Sequence, residues 1–479
     1  MDPLILLVNS PYTKNVYKMK RVPGLVPPLG LAYLAASLEQ AGLGVEILDA
    51  NALLLSIEET AERIIQSPIK YIGFNVVTAT IPLVYKLSSL VKAKKSDKFI
   101  IVGGPHVTFL SEETLKECPA IDAAVRGEGE ATICELIKTL MEKGELSKIK
   151  GVTFRSGDKI AVNPDREFVE NIDTLPFPAR HLLPIHLYSP SPINSIGFSG
   201  RQYATMMTSR GCPNKCTFCS SAAFWRRVRL RSLDGMADEI EFLIKQYGVR
   251  HVNFLDDTLI ISEARMEQFC HLMIKRNINI KWSCYARVST VTPKLVELMK
   301  RTGCQFIQFG VESGNQEILN RVEKNITIEQ VRKAVGAAKK VGLKVMCDFM
   351  IGLPGDTVQT VNQTINFAKE LSPNFAFFSI TTPFPGSALY EEYRKEGRLK
   401  EGYIWDNMSL HEGTNFSTPT MTSKEMEELY VKAHRRFYYR PAFIWQTFLW
   451  VLRHPYEFRN FYLLAKIQIT KELKNIFHV

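Results

Sequence analysis

The stretch "TSRGCPNKCTFCSS", Thr208–Ser221, holds three of the chain's nine cysteines, Cys212, Cys216 and Cys219. Three readings compete for them. Cys216-x-x-Cys219 alone matches a thioredoxin-type redox pair, but that motif should open a helix in a small βαβ unit and leaves Cys212 without a part. Structural zinc wants four ligands, and His181, His186 and His251 lie in other elements. An iron–sulfur cluster fits three thiolates better. Such sites normally take four Cys, so three leave one iron able to bind something else.

The flanks decide where this loop sits. Strand patterns read at ATMMTS just before it, then at HVNFLDD, IKWSCYARV, QFIQFGVES, KVMCDFMIG and FAFFSITTPF. Each of the first five precedes a helix pattern such as LDGMADEIEFLIKQYG or TIEQVRKAVGAAKKVG. Six βα units over residues 201–420 predict a (β/α)6 partial TIM barrel, with the cysteines at the C-terminal strand face where barrel active sites lie.

Upstream, LILLVNS, VEILDAN, YIGFNVV, FIIVGGP and DAAVRGE alternate with LAYLAASLEQAG, SIEETAERIIQS, IPLVYKLSSLVKAKK and ATICELIKTLMEKG. This predicts a second α/β unit over residues 1–145, a doubly wound, Rossmann-like parallel sheet. Its ligand edge would be the carboxyl ends of the strands. Asn75, Val77 and Thr78, then Gly103, Gly104, Pro105 and His106, then Gly127 and Glu128 fall there. A hairpin pattern, GVTFRSGDKIAVNPDREFV, and a Pro-rich run, LPFPARHLLPIHLYSPSP, make residues 146–200 the linker. Residues 421–479 read as a helical C-terminal segment.

Composition agrees with a folded chain of more than one core: 479 residues, 46% hydrophobic, 23% charged. Cys118, Cys134, Cys270, Cys284, Cys304 and Cys347 lie in apolar or helical contexts that suit reduced, buried thiols, not a secreted disulfide scaffold. The opening MDPLILLVNSPYTKN lacks the basic region and cleavage site of a signal peptide and reads as a first strand. No run reaches the roughly 18–20 apolar residues of a membrane span, so a cytoplasmic protein is expected. Of the net charge of +11, the tail from Lys432 carries +7, with nine Lys/Arg against two acids. These are interleaved with AFIWQTFLW and FYLLAKI. Two readings stand open: peripheral contact with an anionic membrane at its inner face, or a helical layer with a solvated basic face.

The motif C-x-x-x-C-x-x-C after a first barrel strand, with Phe218 before the last Cys, resembles the radical S-adenosylmethionine (radical SAM) superfamily, over residues 203 to about 400. That resemblance implies that Cys212, Cys216 and Cys219 hold a [4Fe-4S] cluster whose free iron chelates S-adenosylmethionine (SAM). One electron would then cleave SAM to methionine and a 5'-deoxyadenosyl radical, and an external donor of flavodoxin or ferredoxin type would supply it. A zwitterionic cofactor with two ribose hydroxyls needs acceptors, a carboxylate donor and an adenine surface. Successive strand ends offer Asp256 and Asp257, Arg287, Glu312 and Ser313, then Gly352 and Pro354, with Phe218 against adenine. Taken singly, each has an ordinary reading as a surface ion pair or a turn.

The order VPPLGLAYLAASLEQAG, FNVVTAT, IIVGGPHVT, VRGEGEAT before such a barrel is similar to the cobalamin-binding domain of cobalamin-dependent radical SAM enzymes, including anaerobic porphyrin-cyclase-like and hopanoid-processing members. The D-x-H-x-x-G signature that supplies a histidine to cobalt is absent. The resemblance therefore implies cobalamin without a protein His on cobalt, His106 touching the corrinoid periphery or phosphate. A fold kept without the corrinoid is the alternative. Together the two resemblances imply methylation of an unactivated carbon of a small, hydrophobic, lipid-like substrate, with radical cyclisation or rearrangement of a lipid or tetrapyrrole as the rival. RNA modification fits poorly. Methylthiotransferases of this superfamily carry a second cysteine trio near the N-terminus, residues 1–117 contain no Cys, and no RNA-binding module closes the chain.

Overall fold

The computed structural model describes residues 2–12, 24–188, 202–399 and 416–453. The last 26 positions of the basic tail lie outside them.

The first unit alternates β1 (Ile5–Asn9), α1 (Leu29–Gln40), β2 (Val45–Asp49), α2 (Ile57–Gln66), β3 (Tyr71–Asn75), α3 (Ile81–Lys94) and β4 (Phe99–Gly103). It continues through two short helices, α4 (Pro105–Phe109) and α5 (Ser111–Glu117), to β5 (Ala123–Val125) and α6 (Glu130–Met141). A hairpin of β6 (Val152–Ser156) and β7 (Lys159–Val162) follows. The sheet order is β2-β1-β3-β4-β5-β6-β7, parallel through β5. β1 is followed by β2 on one side and β3 on the other, so the strand order reverses at the β1/β3 boundary, the usual place for a ligand crevice. The hairpin does not hang free between units. β6 pairs antiparallel with β5, Ala123 opposite Phe154, and extends the sheet to Val162.

Both faces of this sheet are covered, which is why its inner strands β1, β3 and β4 are apolar along nearly their whole length. Leu6, Val8, Ile72, Phe74, Ile100 and Val102 pack on one side, and Ile5, Leu7, Tyr71, Ile101 and Val125 on the other. Helix starts follow local chemistry: Ser56 and Glu59 form a capping box at α2.

The second sheet is an open arc of six parallel strands in the order β15-β14-β13-β12-β11-β8. In chain order these are β8 (Tyr203–Met206), β11 (His251–Phe254), β12 (Lys281–Ala286), β13 (Cys304–Glu312), β14 (Lys344–Ile351) and β15 (Phe375–Ile380). A small antiparallel pair, β9 (Ser209–Arg210) and β10 (Arg229–Leu230), flanks α7 (Ser221–Trp225) beside the first strand. Helices α8 (Leu233–Tyr247), α9 (Glu263–Lys275), α10 (Pro293–Arg301), α11 (Gln316–Arg321), α12 (Ile328–Lys340), α13 (Val358–Leu371) and α14 (Ala388–Lys395) complete the connections. The outward strand face, with Val252, Cys284, Ile307, Cys347 and Phe378, joins these helices in one core. All six scattered cysteines are free thiols, five buried and Cys134 half-buried.

The C-terminal helices α15 (Ser423–Tyr438) and α16 (Pro441–Arg453) are added to the barrel flank. α15 buries Met426, Leu429, Ala433 and Phe437 in the barrel core. α16 leaves Ile444, Trp445, Phe448 and Leu452 more than half exposed.

Candidate active site

The cysteine loop leaves β9 at the mouth of the barrel. Gly211 has φ +95, and a Cβ there would stand 2.7 Å from the Arg227 carbonyl oxygen, so the loop turns where only glycine fits. The middle of the loop is pinned to two distant connections. Thr217 N donates to Val322 O at 3.1 Å, and Leu389 N donates to Thr217 O at 2.9 Å.

Each sulfur has an N–H facing it. Asn214 Nδ2 lies 3.4 Å from Cys212 Sγ, Ser221 N 3.5 Å from Cys219 Sγ, and Arg287 Nη1 3.8 Å from Cys216 Sγ. Cys216 is buried, Cys212 half-buried and Cys219 exposed. Among the described residues no group of three or more His, Cys, Asp or Glu converges on a single metal ion. Three thiolates in one loop suit a cubane, whose thiolates bind different irons at separate corners. The donor set and its surrounding N–H groups fit the cluster.

Around this loop the candidate SAM contacts divide. Arg287, beyond β12, is 8% exposed, and its Nη2 donates to Lys324 O. Glu312 ends β13 with φ +69, an uncommon conformation for a residue with a side chain. Its carboxylate turns back over Gly310, where a Cβ would lie 2.6 Å from Glu312 Oε1, and accepts from Lys324 Nζ at 2.6 Å. An ammonium therefore already sits on the acceptor expected for one. Asp257 is exposed at the mouth as a residue and accepts from Ser221 Oγ, while partial desolvation of its carboxyl tip raises its pKa above the ordinary value. Phe218 packs with Ile318, Val322 and Leu353, and Pro354, half-buried, follows Leu353 after β14.

Three expected contacts have other tasks. Asp256 is 2% exposed, and its Oδ1 accepts from Thr208 N, Thr208 Oγ1 and Ser209 Oγ, tying β11 to the start of the cysteine loop. Burial raises it to about 6. Ser313 is fully buried, accepting from Asn315 N and meeting Thr364 Oγ1 in a turn. Gly352 has φ +84, and a Cβ there would lie 2.5 Å from Met426 Sδ of α15. Its loop is anchored by Asp356, which accepts from Gly352 N and Leu353 N.

Two neighbours were not expected from the strand-end pattern. Lys324 follows α11, away from any strand end, so only folding brings it to Glu312. Inside the arc, Gln308 Nε2 donates to both oxygens of Asp348 at 2.9 and 2.8 Å. Burial and the nearby Glu312 raise Asp348 to about 7.

The edge of the first sheet has a different character. Val77 is 41% exposed and Pro105 is exposed, while a Cβ on Gly127 would meet nothing within 4 Å. His106 lies beneath this edge. It is 1% exposed, its Nδ1 lies 3.2 Å from Thr78 Oγ1, and burial lowers it to about 4. Thr78 is buried with it. Gly104 (φ +120) is required by the chain itself, since a Cβ would lie 2.5 Å from Val76 O and 2.9 Å from Asn75 Oδ1. Gly103 is in ordinary contact with Val125. Glu128 is drawn into ion pairs with Arg210 and Arg229. What remains is a small-residue, apolar rim with its histidine withdrawn, which fits a broad macrocycle without a protein ligand to its metal.

This rim abuts the barrel mouth. Phe109, at the end of α4, meets Phe224 of α7 edge-on, 6.2 Å between centroids, and a Cβ on Gly386 beyond β15 would strike its ring.

The Radical SAM superfamily model matches residues 206–368, and the B12 binding domain model matches residues 19–137. An uncharacterized methyltransferase of Pyrococcus horikoshii is 36% identical over 91% of this chain and 93% of its own. The anaerobic magnesium-protoporphyrin IX monomethyl ester cyclase of Rubrivivax gelatinosus is 30% identical over 89% of this chain and 76% of its own. The radical SAM methyltransferase TsrM of Kitasatospora setae, solved with cobalamin and a [4Fe-4S] cluster bound, shares the fold. The TM-score is 0.67 at 19% identity, covering 91% of this chain and 82% of that one.

Proposed function

We propose, for a chain that belongs to the radical SAM superfamily and carries its B12-binding domain, the transfer of a methyl group to an unactivated carbon of a hydrophobic small molecule. The observation that carries this reading is the meeting of the two ligand edges. The rim of the first sheet lies against the mouth that bears the cysteines, through Phe109, Phe224 and Gly386. When bound, the cluster supplies one-electron cleavage of SAM and cobalamin supplies the methyl group.

The chain's own residues position and protect. Cys212, Cys216 and Cys219 would hold three irons. Arg287 offers a guanidinium for the SAM carboxylate, and Glu312 an acceptor for its ammonium once Lys324 yields. Asp257 with Ser221 offers acceptors to ribose hydroxyls. Phe109 and Phe224, in contact where the edges meet, keep water from that region, and fixing two reactants there removes much of the entropic barrier. Exposed Cys219 leaves one side of the loop accessible to an external one-electron donor.

After anaerobic reconstitution with cobalamin, incubation with SAM, reductant and substrate candidates should yield both S-adenosylhomocysteine and 5'-deoxyadenosine. The second alone would favour cyclisation, the reading supported by the 30% identity to a protoporphyrin ester cyclase.

No helix among the described residues is long and apolar enough to cross a membrane. Peripheral docking is supported by Ile444, Trp445, Phe448 and Leu452, one exposed stripe of α16 beside a basic tail. The full chain should float with anionic vesicles and W445S/F448S/L452S should not. Equal flotation would refute docking through this stripe. A cytoplasmic location at the inner membrane face goes with this reading.

A further inference from the structure

Glu128 and Glu130 follow β5 in the first unit, yet both carboxylates close on Arg210, two residues before Cys212. Arg210 Nη1 donates to Glu128 Oε1 at 2.5 Å and its Nη2 to Glu130 Oε1. Arg229, on the strand paired with β9, donates Nη1 to both oxygens of Glu128 at 2.8 Å. Val169 N adds a bond to Glu128 Oε2 at 2.7 Å. All four charged side chains are at most 9% exposed. Arg210 also lies 5.7 Å from the Tyr33 ring of the first unit and 5.6 Å from Trp225 of the second.

Such a network has strict geometry. Buried carboxylates are costly unless they are paired and hydrogen-bonded, so neither acid can relax away without leaving the arginines uncompensated. A planar guanidinium reaches the two carboxylates through two separate nitrogens held in a fixed fork near both rings, a geometry that a single ammonium does not reproduce. Between Arg210 and Cys212 stands Gly211 alone, pressed on the Arg227 carbonyl. A shift of the clasp therefore has no slack in which to dissipate before the first cluster ligand.

We propose that Glu128, Glu130, Arg210 and Arg229 form an interdomain clasp that sets the cluster loop in register with the corrinoid-binding domain. This makes the two glutamates positioning residues for a site in the other domain. The inference rests on the cluster and cobalamin reading above and adds that the two sites are mechanically joined through charge.

The test uses full-length chain, anaerobically reconstituted, as parent, E130Q, R210K and the double variant. Iron and sulfide per chain, the low-temperature EPR spectrum of the dithionite-reduced cluster with and without SAM, and SAM affinity are measured. Both single variants should load iron as the parent does. Their SAM-dependent EPR change should be altered and their affinity weakened by about tenfold, with no further loss in the double variant. Parent-like spectra and affinity in both would overturn the clasp's role, as would additive losses in the double variant. Loss of the cluster or of folding in both singles would equally overturn it, because the contact would then be structural only. A parent that binds SAM but makes no S-adenosylhomocysteine would break the methyl-transfer reading while leaving this comparison intact.

Discussion

The two sheet edges use their special residues in opposite ways. At the barrel mouth the polar side chains stand in pairs: Asn214 with Cys212, Arg287 with Cys216, Ser221 with Cys219 and Asp257, and Lys324 with Glu312. At the edge of the first sheet, Gly104, His106, Thr78 and Glu128 are spent on holding the backbone or the neighbouring domain, and the surface left is small and apolar. The difference follows from the ligands. An iron–sulfur cluster needs particular atoms in bonding positions. A macrocycle needs a shape, which the protein makes by removing side chains and burying the polar ones.

The largest effect should come from the mouth. Alanine at Cys212, Cys216 or Cys219 should abolish cluster assembly and reductive SAM cleavage, read as iron and sulfide content and 5'-deoxyadenosine after anaerobic reconstitution. Intact iron loading in any of the three would break the contrast.

Asp256 and Asp257 sharpen it within the mouth itself. Asp256→Ala strands three donors and should destabilise the fold by about 3 kcal/mol in denaturant unfolding. Asp257→Ala, at an exposed position, should stay within about 0.5 kcal/mol while weakening SAM binding.

A buried histidine in each unit, His106 at the first edge and His251 at the start of β11, tests whether their interiors are equally dry. Burial lowers His106 and His251 from 6.5 to about 4. The unfolded chain therefore binds more protons between pH 6.5 and 4, so their contribution is complete above pH 6.5 and lost as pH falls. At pH 5 each should cost about 2 kcal/mol of stability relative to pH 7. Raised Asp256 and Asp348 pull the other way over the same range, so the test is a difference: between pH 7 and pH 5, H251Q should be spared about 2 kcal/mol of loss relative to the parent, and no difference would mean that His251 is already wet.

The smallest effects separate two glycines of the first edge. Gly104→Ala should cost about 2 kcal/mol, because its Cβ meets the Val76 carbonyl as well as an unfavourable φ. Gly127→Ala, strained in φ but facing open space, should cost about 1 kcal/mol. If bound cobalamin covers Gly127, that variant should also lose corrinoid absorbance on gel filtration.

By itself the sequence determined the two α/β units, the order of the strand-end motifs along the barrel and the spacing of the three cysteines in one loop. These are properties of local periodicity and of a spacing within one loop, and they survive without knowing what lies opposite. Only the tertiary structure decided which flagged residues are available. Asp256 and Asp257 are neighbours in the chain, but one faces the backbone of the first loop and the other the mouth. Gly352 signals close approach, and folding shows that a methionine of α15 makes it. Lys324, far from any strand end, has no signature at all. The linking of RGEGE to Arg210 joins residues some eighty positions apart. A carboxylate's partner is set by which surfaces folding brings together, and no pattern within either segment specifies it.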